Sequence, residues 1–350
     1  MNDSRENYSS RVFISAIIVA LITLLLLLLW YAADVLLLGF AGILVAIFLR
    51  GLSDWVSERT HLSGGWSLAL VVLGLVSLVA VVAWVLAPDV AAQVDELRRS
   101  LPQSMRRLSE RIEQYEWGRQ ILAQLPNANE LMPGRADVLA RVTGIFSTTL
   151  GLFADLFIII SIGLYLAVEP RLYTRGVILL VPASRRERAR AVLNEVGSTL
   201  RWWLIGKAAS MVVIGTLTAL GLWLLNVPLA LTLGLLAAVL TFIPNIGPIL
   251  SVVPAALLAL LQSPTRALYV ILLYLGIQTL ESYLLTPMVQ RRAVQLPPAL
   301  TIFSQVLLGV LVGGLGLALA TPLTAAALVL ARMIYVEGTT DDSIENAHEA

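Results

Sequence analysis

The chain contains no cysteine. That excludes disulfides, a thiol nucleophile and a Cys-type metal site. Histidine occurs only at His61 and His348, far apart in the sequence. With no His-x-x-x-His or Gly-x-Ser-x-Gly pattern, an intramembrane hydrolase has little support, and the chain reads as a non-enzyme without cofactor or metal. Lysine occurs once, at Lys207; the other basic residues are arginines. Charge of either sign is scarce, at 13% of residues, where a soluble protein carries about 25%. The net charge is +1, and no basic stripe interleaved with aromatics points to nucleic acid.

What the sequence has in place of charge is apolar length. Hydrophobic residues make up 58% of the chain and mean hydropathy is +0.84. This is an integral membrane protein whose first partner is the bilayer. The reading centres on the apolar run 227–261, far longer than the ~20 residues a helix needs to cross a ~30 Å hydrocarbon core. Pro244, Gly247 and Pro248 interrupt it, with Pro254 a few residues on. Proline lacks a backbone N–H and clashes with the preceding turn, and glycine tolerates bends. A break at 244–248 leaves backbone groups unpaired, which survives at membrane depth only inside protein or beside a water-filled cavity. A buried break of this kind marks a substrate or ion site in transporters. The alternative is a hairpin turn at the membrane surface.

Taken in order, the polar N-terminus 1–10 reads as disordered. The first span is 12–30, retained and not a cleaved signal, because Trp30 and Tyr31 stand where small residues would be needed. A break at 31–34 leads to a short second span, 35–49, a polar loop at 50–65 and a third span at 66–87. Residues 89–141 form a polar arm whose apolar positions recur at three- and four-residue steps, as on an amphipathic helix. It reads as an arm on the protein or headgroups, with a coiled-coil-like subunit contact as the alternative. The fourth span, 142–168, contains Asp155. A basic segment, 171–207, follows, with Arg185, Arg186, Arg188 and Arg190 and an amphipathic stretch ending at Trp202 and Trp203, and reads as a topology determinant and lipid-surface contact. Then come a fifth span at 208–225, the interrupted run, a span at 267–285, and a second over-long run, 298–335, interrupted at Gly313, Gly314, Gly316 and Pro322. The tail 337–350 is acidic and reads as disordered. The expected domains are a three-helix segment (1–88), an extracytoplasmic arm (89–141), a fourth span with its basic segment (142–207), a core (208–336) and the tail.

The two over-long runs repeat one another. An offset of 69 positions lays Pro228-Leu-Ala-Leu-Thr232 on Pro297-Pro-Ala-Leu-Thr301 and Gly247 on Gly316. Cytoplasmic loops carry excess Lys and Arg. Re-entrant hairpins at both runs put Arg50, Arg59, the 171–207 cluster, Arg291 and Arg292 inside, the loops at 31–34 and 225–229 outside, and both termini in the cytoplasm. The fold class is therefore an all-α polytopic membrane protein: about six full transmembrane helices, two broken, re-entrant hairpins related as an inverted repeat, and an amphipathic arm.

Ile243-Pro-Asn-Ile-Gly-Pro248 with Val253-Pro-Ala255, Gln278-x-x-Glu281 with Pro287, Leu315-Gly-Leu-Ala-Leu-Ala-Thr-Pro322, and Arg50 to Arg59 after the second span together resemble the AI-2E (autoinducer-2 exporter-like) family of bacterial membrane transporters. The resemblance covers nearly the whole chain; the 89–141 arm matches only in character. It implies a homo-oligomeric inner-membrane permease of a small solute, with members linked to autoinducer-2 export and others to sodium/proton antiport.

Glu281 lies within a span, where an ionisable group costs ~2.5 kcal/mol or more to insert and is a functional candidate by default. Burial disfavours its charged form, which makes it a candidate for proton loading. Gln278 stands one turn earlier on the same face, within hydrogen-bonding reach. Asp155 follows the same logic without a matching motif. Asn245, inside the first break, offers both donor and acceptor. With Pro244, Gly247, Pro248 and Gly316 these form the expected substrate or ion site; Thr232, Thr301, Ser304 and Gln305 are weaker candidates. The structural alternative for Glu281 is a bond to a neighbouring helix or to the open backbone near Pro244. The function classes kept open are a solute exporter coupled to H+ or Na+, a monovalent cation/proton antiporter, a passive oligomeric channel and, less favoured, a scaffold for the arm.

Overall fold

The computed structural model describes residues 3–85, 88, 135–285, 287 and 296–336. The described residues are helical almost throughout, and six of the helices are long and apolar enough to cross a membrane: Trp30–Thr60, Gly64–Val85, Gly151–Val168, Ala183–Leu224, Pro264–Leu285 and Pro298–Ile334. Most of the 89–141 arm, the Arg291-Arg292 pair and the acidic tail lie outside the described residues.

The first helix, α1 (Asp3–Thr60), corrects the expected N-terminal segment. Residues 3–10 are helical, and no turn separates 12–30 from 35–49. Tyr31-Ala-Ala-Asp34 contains neither proline nor glycine, and alanine is the strongest helix former, so nothing there stops the helix. The turn that would have returned the N-terminus to the cytoplasm is absent. Nor is 50–65 a loop. The helix runs through Arg50, Asp54 and Arg59 and ends at His61 in a left-handed conformation (φ 56°). The described residues of the segment 1–88 thus hold two long helices, α1 and α2 (Gly64–Val85).

Helix α3 (Arg135–Val168) begins inside the stretch assigned to the arm. It crosses α1 closely through two glycines. A β-carbon at Gly42 would lie 2.8 Å from the β-carbon of Ile162, and one at Gly163 would lie 2.8 Å from that of Val45. Small residues let membrane helices approach and gain dispersion contacts that lipid tails do not supply. Glu169 and Pro170 then end the span and start the short α4 (Pro170–Leu179). After a 3-10 turn at Ala183–Arg185, α5 (Arg186–Leu224) joins in one helix the amphipathic stretch and fifth span that the sequence reading kept apart.

Two helical hairpins follow. In the first, α6 (Ala230–Leu240) and α7 (Ile246–Gln262) flank a break at residues 241–245. Pro248 falls in the first turn of α7, where a missing N–H costs no intrahelical bond. Ser263 caps α8 (Pro264–Leu280) by accepting from the backbone N–H of Arg266 at 3.2 Å, with Pro264 in its first turn. The helix continues as a π-helical turn, Glu281–Leu285. The second hairpin is α9 (Pro298–Ala331), broken at Gly313, whose φ of 72° lies in the left-handed region that glycine reaches without strain.

Three buried clusters hold these parts together. Leu37, Ala41 and Leu44 of α1 meet Leu200, Trp203 and Leu204 of α5 and Leu319 and Ala326 of α9. Leu222 of α5, Leu233 of α6, Ala255 and Ala259 of α7 and Val270 and Tyr274 of α8 form the second. The third joins Ala46 and Leu49 of α1, Leu68 and Val71 of α2 and Ala167 of α3. The remaining long apolar side chains are largely exposed, as lipid-facing surfaces require.

Candidate functional site

The first break is built around one carbonyl. Pro244 O accepts from the backbone N–H of Ile246 at 2.7 Å and from Gln305 Nε2 at 2.8 Å. Gln305 is 1% exposed and belongs to the first arm of the second hairpin. The two interrupted helices are therefore joined by a side-chain amide at the turn itself. The other freed backbone groups pair locally: Ile243 N–H donates to Leu240 O at 2.9 Å, Gly247 N–H to Ile243 O at 3.0 Å, and Thr241 Oγ1 to Ala237 O at 2.6 Å. Asn245 takes a positive φ of 65° as the residue before α7 and is exposed.

Both hairpins close on a glycine. A β-carbon at Gly247 would overlap the carbonyl of Leu240, and one at Gly316 the carbonyl of Leu308. No side chain fits between the arms at either place. These are the two glycines that the internal repeat aligns.

Helix α5 backs the first break. Trp203 stacks edge-to-face on Phe242, with ring centroids 5.7 Å apart and planes at 80°. Lys207 stands one turn further along the same face. Its Nζ is 3.7 Å from Glu281 Oε1, and each side chain is only 12% exposed. At 1.5 Å per residue, Lys207 lies ~25 Å along α5 from Leu224 and Glu281 ~25 Å along α8 from Pro264. Those two helix ends share one buried cluster, so the two charges meet at equal depth on antiparallel helices. Glu281 also opens the π-helical turn, a distortion frequent at functional sites.

Of the expected residues, Pro244, Gly247 and Pro248 are in or beside the first break, Gly316 closes the second, and Glu281 pairs with the α5 face that backs the first. Asp155 is not with them: it is exposed on α3, whose main packing is against α1. Gln278 is partly buried and, among the described residues, does not hydrogen-bond Glu281. Thr301 and Ser304 bond backbone carbonyls of their own helix, Pro297 O and Thr301 O. Lys207 was missed as a site residue, although its being the single lysine was a signal. Gln305, a weaker candidate by sequence, makes the bond that joins the two hairpins. A surface cleft of about 530 Å³ lined by Ser161, Tyr165, Glu169 and Tyr173 lies at the end of α3, apart from the hairpins.

An ammonium and a carboxylate this buried are each costly alone and tolerable together. Replacing Lys207 by Met is expected to destabilise the protein by about 3–5 kcal/mol, because Glu281 is left unpaired. Lys207→Met combined with Glu281→Leu should recover most of that loss. Reversible unfolding in detergent checks the cycle, and strictly additive effects would show that the two charges do not depend on each other.

Comparison with known proteins finds relatives in several bacteria. The chain is 30% identical to YrrI of Bacillus subtilis (strain 168) over 166 residues, 47% of each chain, so it spans about half of that relative's length. It is 26% identical to PerM of Escherichia coli (strain K12) over 305 residues, 81% of this chain and 84% of PerM. It is 30% identical to TqsA of the same strain over 142 residues, 40% of this chain and 41% of TqsA. PerM is named as a permease and TqsA as an AI-2 transport protein. The family model described as AI-2E family transporter matches residues 1–335. With two interrupted helices tied together beside an intramembrane ion pair, and a family match over nearly its whole length, the chain belongs to the AI-2E transporter family.

Proposed function

We propose that this chain is an inner-membrane permease that moves a small polar solute through the seam between its two hairpins. The observation that carries the reading is the bond from Gln305 to the Pro244 carbonyl, which brings two interrupted helices together at a turn. Paired interrupted helices in repeated halves are where transporters hold their substrates. Pro244, Asn245, Gly247, Pro248 and Gly316 shape this site, with Gln278, Lys207 and Glu281 beside it. The ion pair is close to neutral as a unit, since each charge cancels the other. That favours an uncharged or dipolar solute over a lone ion, and export of such a solute over cation antiport. The AI-2 named for TqsA is one candidate for that solute.

Saturable flux with counterflow in proteoliposomes distinguishes this carrier from a passive channel, which gives linear, uncoupled flux. Gly247→Leu and Gly316→Leu each force a side chain into a backbone contact, and each is expected to abolish most of the flux in protein that still inserts. Wild-type rates in both variants would remove the hairpins from the transport path.

Coupling to H+ or Na+ rests on Glu281. An imposed pH gradient is expected to accelerate wild-type flux. The Lys207→Gln/Glu281→Gln double variant, which leaves no unpaired charge, should lose that acceleration while keeping solute exchange. Unchanged pH-driven flux in the double variant would make the pair structural only.

The orientation follows the arginines. The arginines from Arg171 to Arg190 and residues 288–297 belong in the cytoplasm with the C-terminus on this reading, and residues 89–134 outside. The cytoplasmic N-terminus is not carried over, because the turn at 31–34 is absent. Labelling of a cysteine at Arg291 by an impermeant maleimide from the periplasmic side would rule this orientation out; protection is expected. Homo-oligomerisation completes the reading. Asp155, exposed on a membrane-spanning stretch, would cost ~2.5–3.5 kcal/mol facing lipid, and contact with a second copy removes that exposure.

A further inference from the structure

The strongest feature that transport leaves unused is at the membrane end of the second hairpin. Arg188, in the first turn of α5, donates from Nη2 to the carbonyl of Met333 at 2.8 Å, across 145 residues of sequence. That bond sets Arg188 beside Arg332, the residue before Met333, where the apolar return arm of α9 ends. Arg185 lies less than one turn before Arg188. All three arginines are exposed.

Their charge is not answered by protein among the described residues. The ion pairs there are Arg201 with Asp54 and Lys207 with Glu281. The acids on the same elements, Glu187 and Glu195 of α5 and Glu169 before α4, are exposed and pair with none of the three. A guanidinium has five N–H donors, and Arg188 uses one on Met333, so the cluster keeps donors free. Guanidiniums engage phosphate oxygens bidentately, and exposed arginines on the cytoplasmic side face the leaflet that presents anionic phospholipid.

We propose that Arg185, Arg188 and Arg332 bind the phosphate of an anionic phospholipid, which bridges the start of α5 to the base of the second hairpin. Placing Arg332 next to Arg188 is what separates this site from a diffuse basic loop. Arg190 is the internal comparison. It is two residues from Arg188, ~200° round the helix, so it carries the same charge on the other face.

The test uses the full chain in neutral detergent, titrated with phosphatidylglycerol or with phosphatidylcholine of matched acyl chains. Retained lipid is counted by native mass spectrometry. Phosphatidylglycerol is expected to be retained in preference and to raise Tm. Arg188→Gln/Arg332→Gln should weaken phosphatidylglycerol retention on the order of tenfold and leave phosphatidylcholine unchanged, which also reports an intact fold. Among the described residues the Arg332 side chain makes no bond to protein, so Arg332→Gln alone should show a partial loss with the fold intact, and the site stays testable if the double variant unfolds. Arg190→Gln should behave as wild type. Equal retention of the two lipids, or an equal loss in Arg190→Gln, overturns the site. So does the same rise in Tm from inorganic phosphate alone, which would make the ligand a free anion and not a lipid.

Discussion

Everything in the core depends on pairing the backbone groups that a broken helix frees. In hydrocarbon no water can take them, so a break must be closed by protein. At 241–245 several of these bonds are made within the turn itself, and one comes from outside it. The Pro244 carbonyl receives the Gln305 amide from the other hairpin. The bond satisfies a carbonyl and also fixes the position of one hairpin against the other. A glutamine at that place in α9 is therefore worth more than its weak sequence signal suggests. Burying it without a partner would cost free energy in its own right.

The second constraint is charge. Placing Glu281 in a span is expensive, and the fold answers it with the chain's only lysine. The two groups stand 3.7 Å apart in a loose ion pair, and an ammonium with three donors beside a carboxylate retains unused donors and acceptors. A tightly hydrogen-bonded pair would be a closed structural unit. A looser one beside a helix break has capacity left for a polar solute or water, which is why the structural and functional readings of Glu281 are not exclusive.

Proline and glycine made the hairpins legible in the sequence because they act locally. Pro244, Gly247, Gly313 and Gly316 constrain the backbone wherever they stand, and the breaks fall at or beside them. The same local logic misplaced a turn at 31–34. Tyr31 and Asp34 are polar, but polarity does not stop a helix that lacks a breaker. The Lys207–Glu281 pair was out of reach for another reason. It joins residues 74 positions apart on helices whose register is set by packing between them, and neither position carries a local mark of its partner. Gln305 shows the same limit, since its meaning comes from what lies across the seam.

The internal repeat extends this argument. Both halves keep a glycine where the returning arm meets a carbonyl of the outgoing one, Gly247 against Leu240 and Gly316 against Leu308. Steric exclusion of a β-carbon is the shared requirement. The surroundings differ. The first turn is backed by Trp203 through Phe242 and tied by Gln305, while the second turns at an exposed Gly313 with no side chain to offer. The two hairpins thus share the residue their geometry demands and differ in those around it. In the proposed permease the first hairpin therefore carries the chemistry of the seam, and the second supplies Gln305 to hold it.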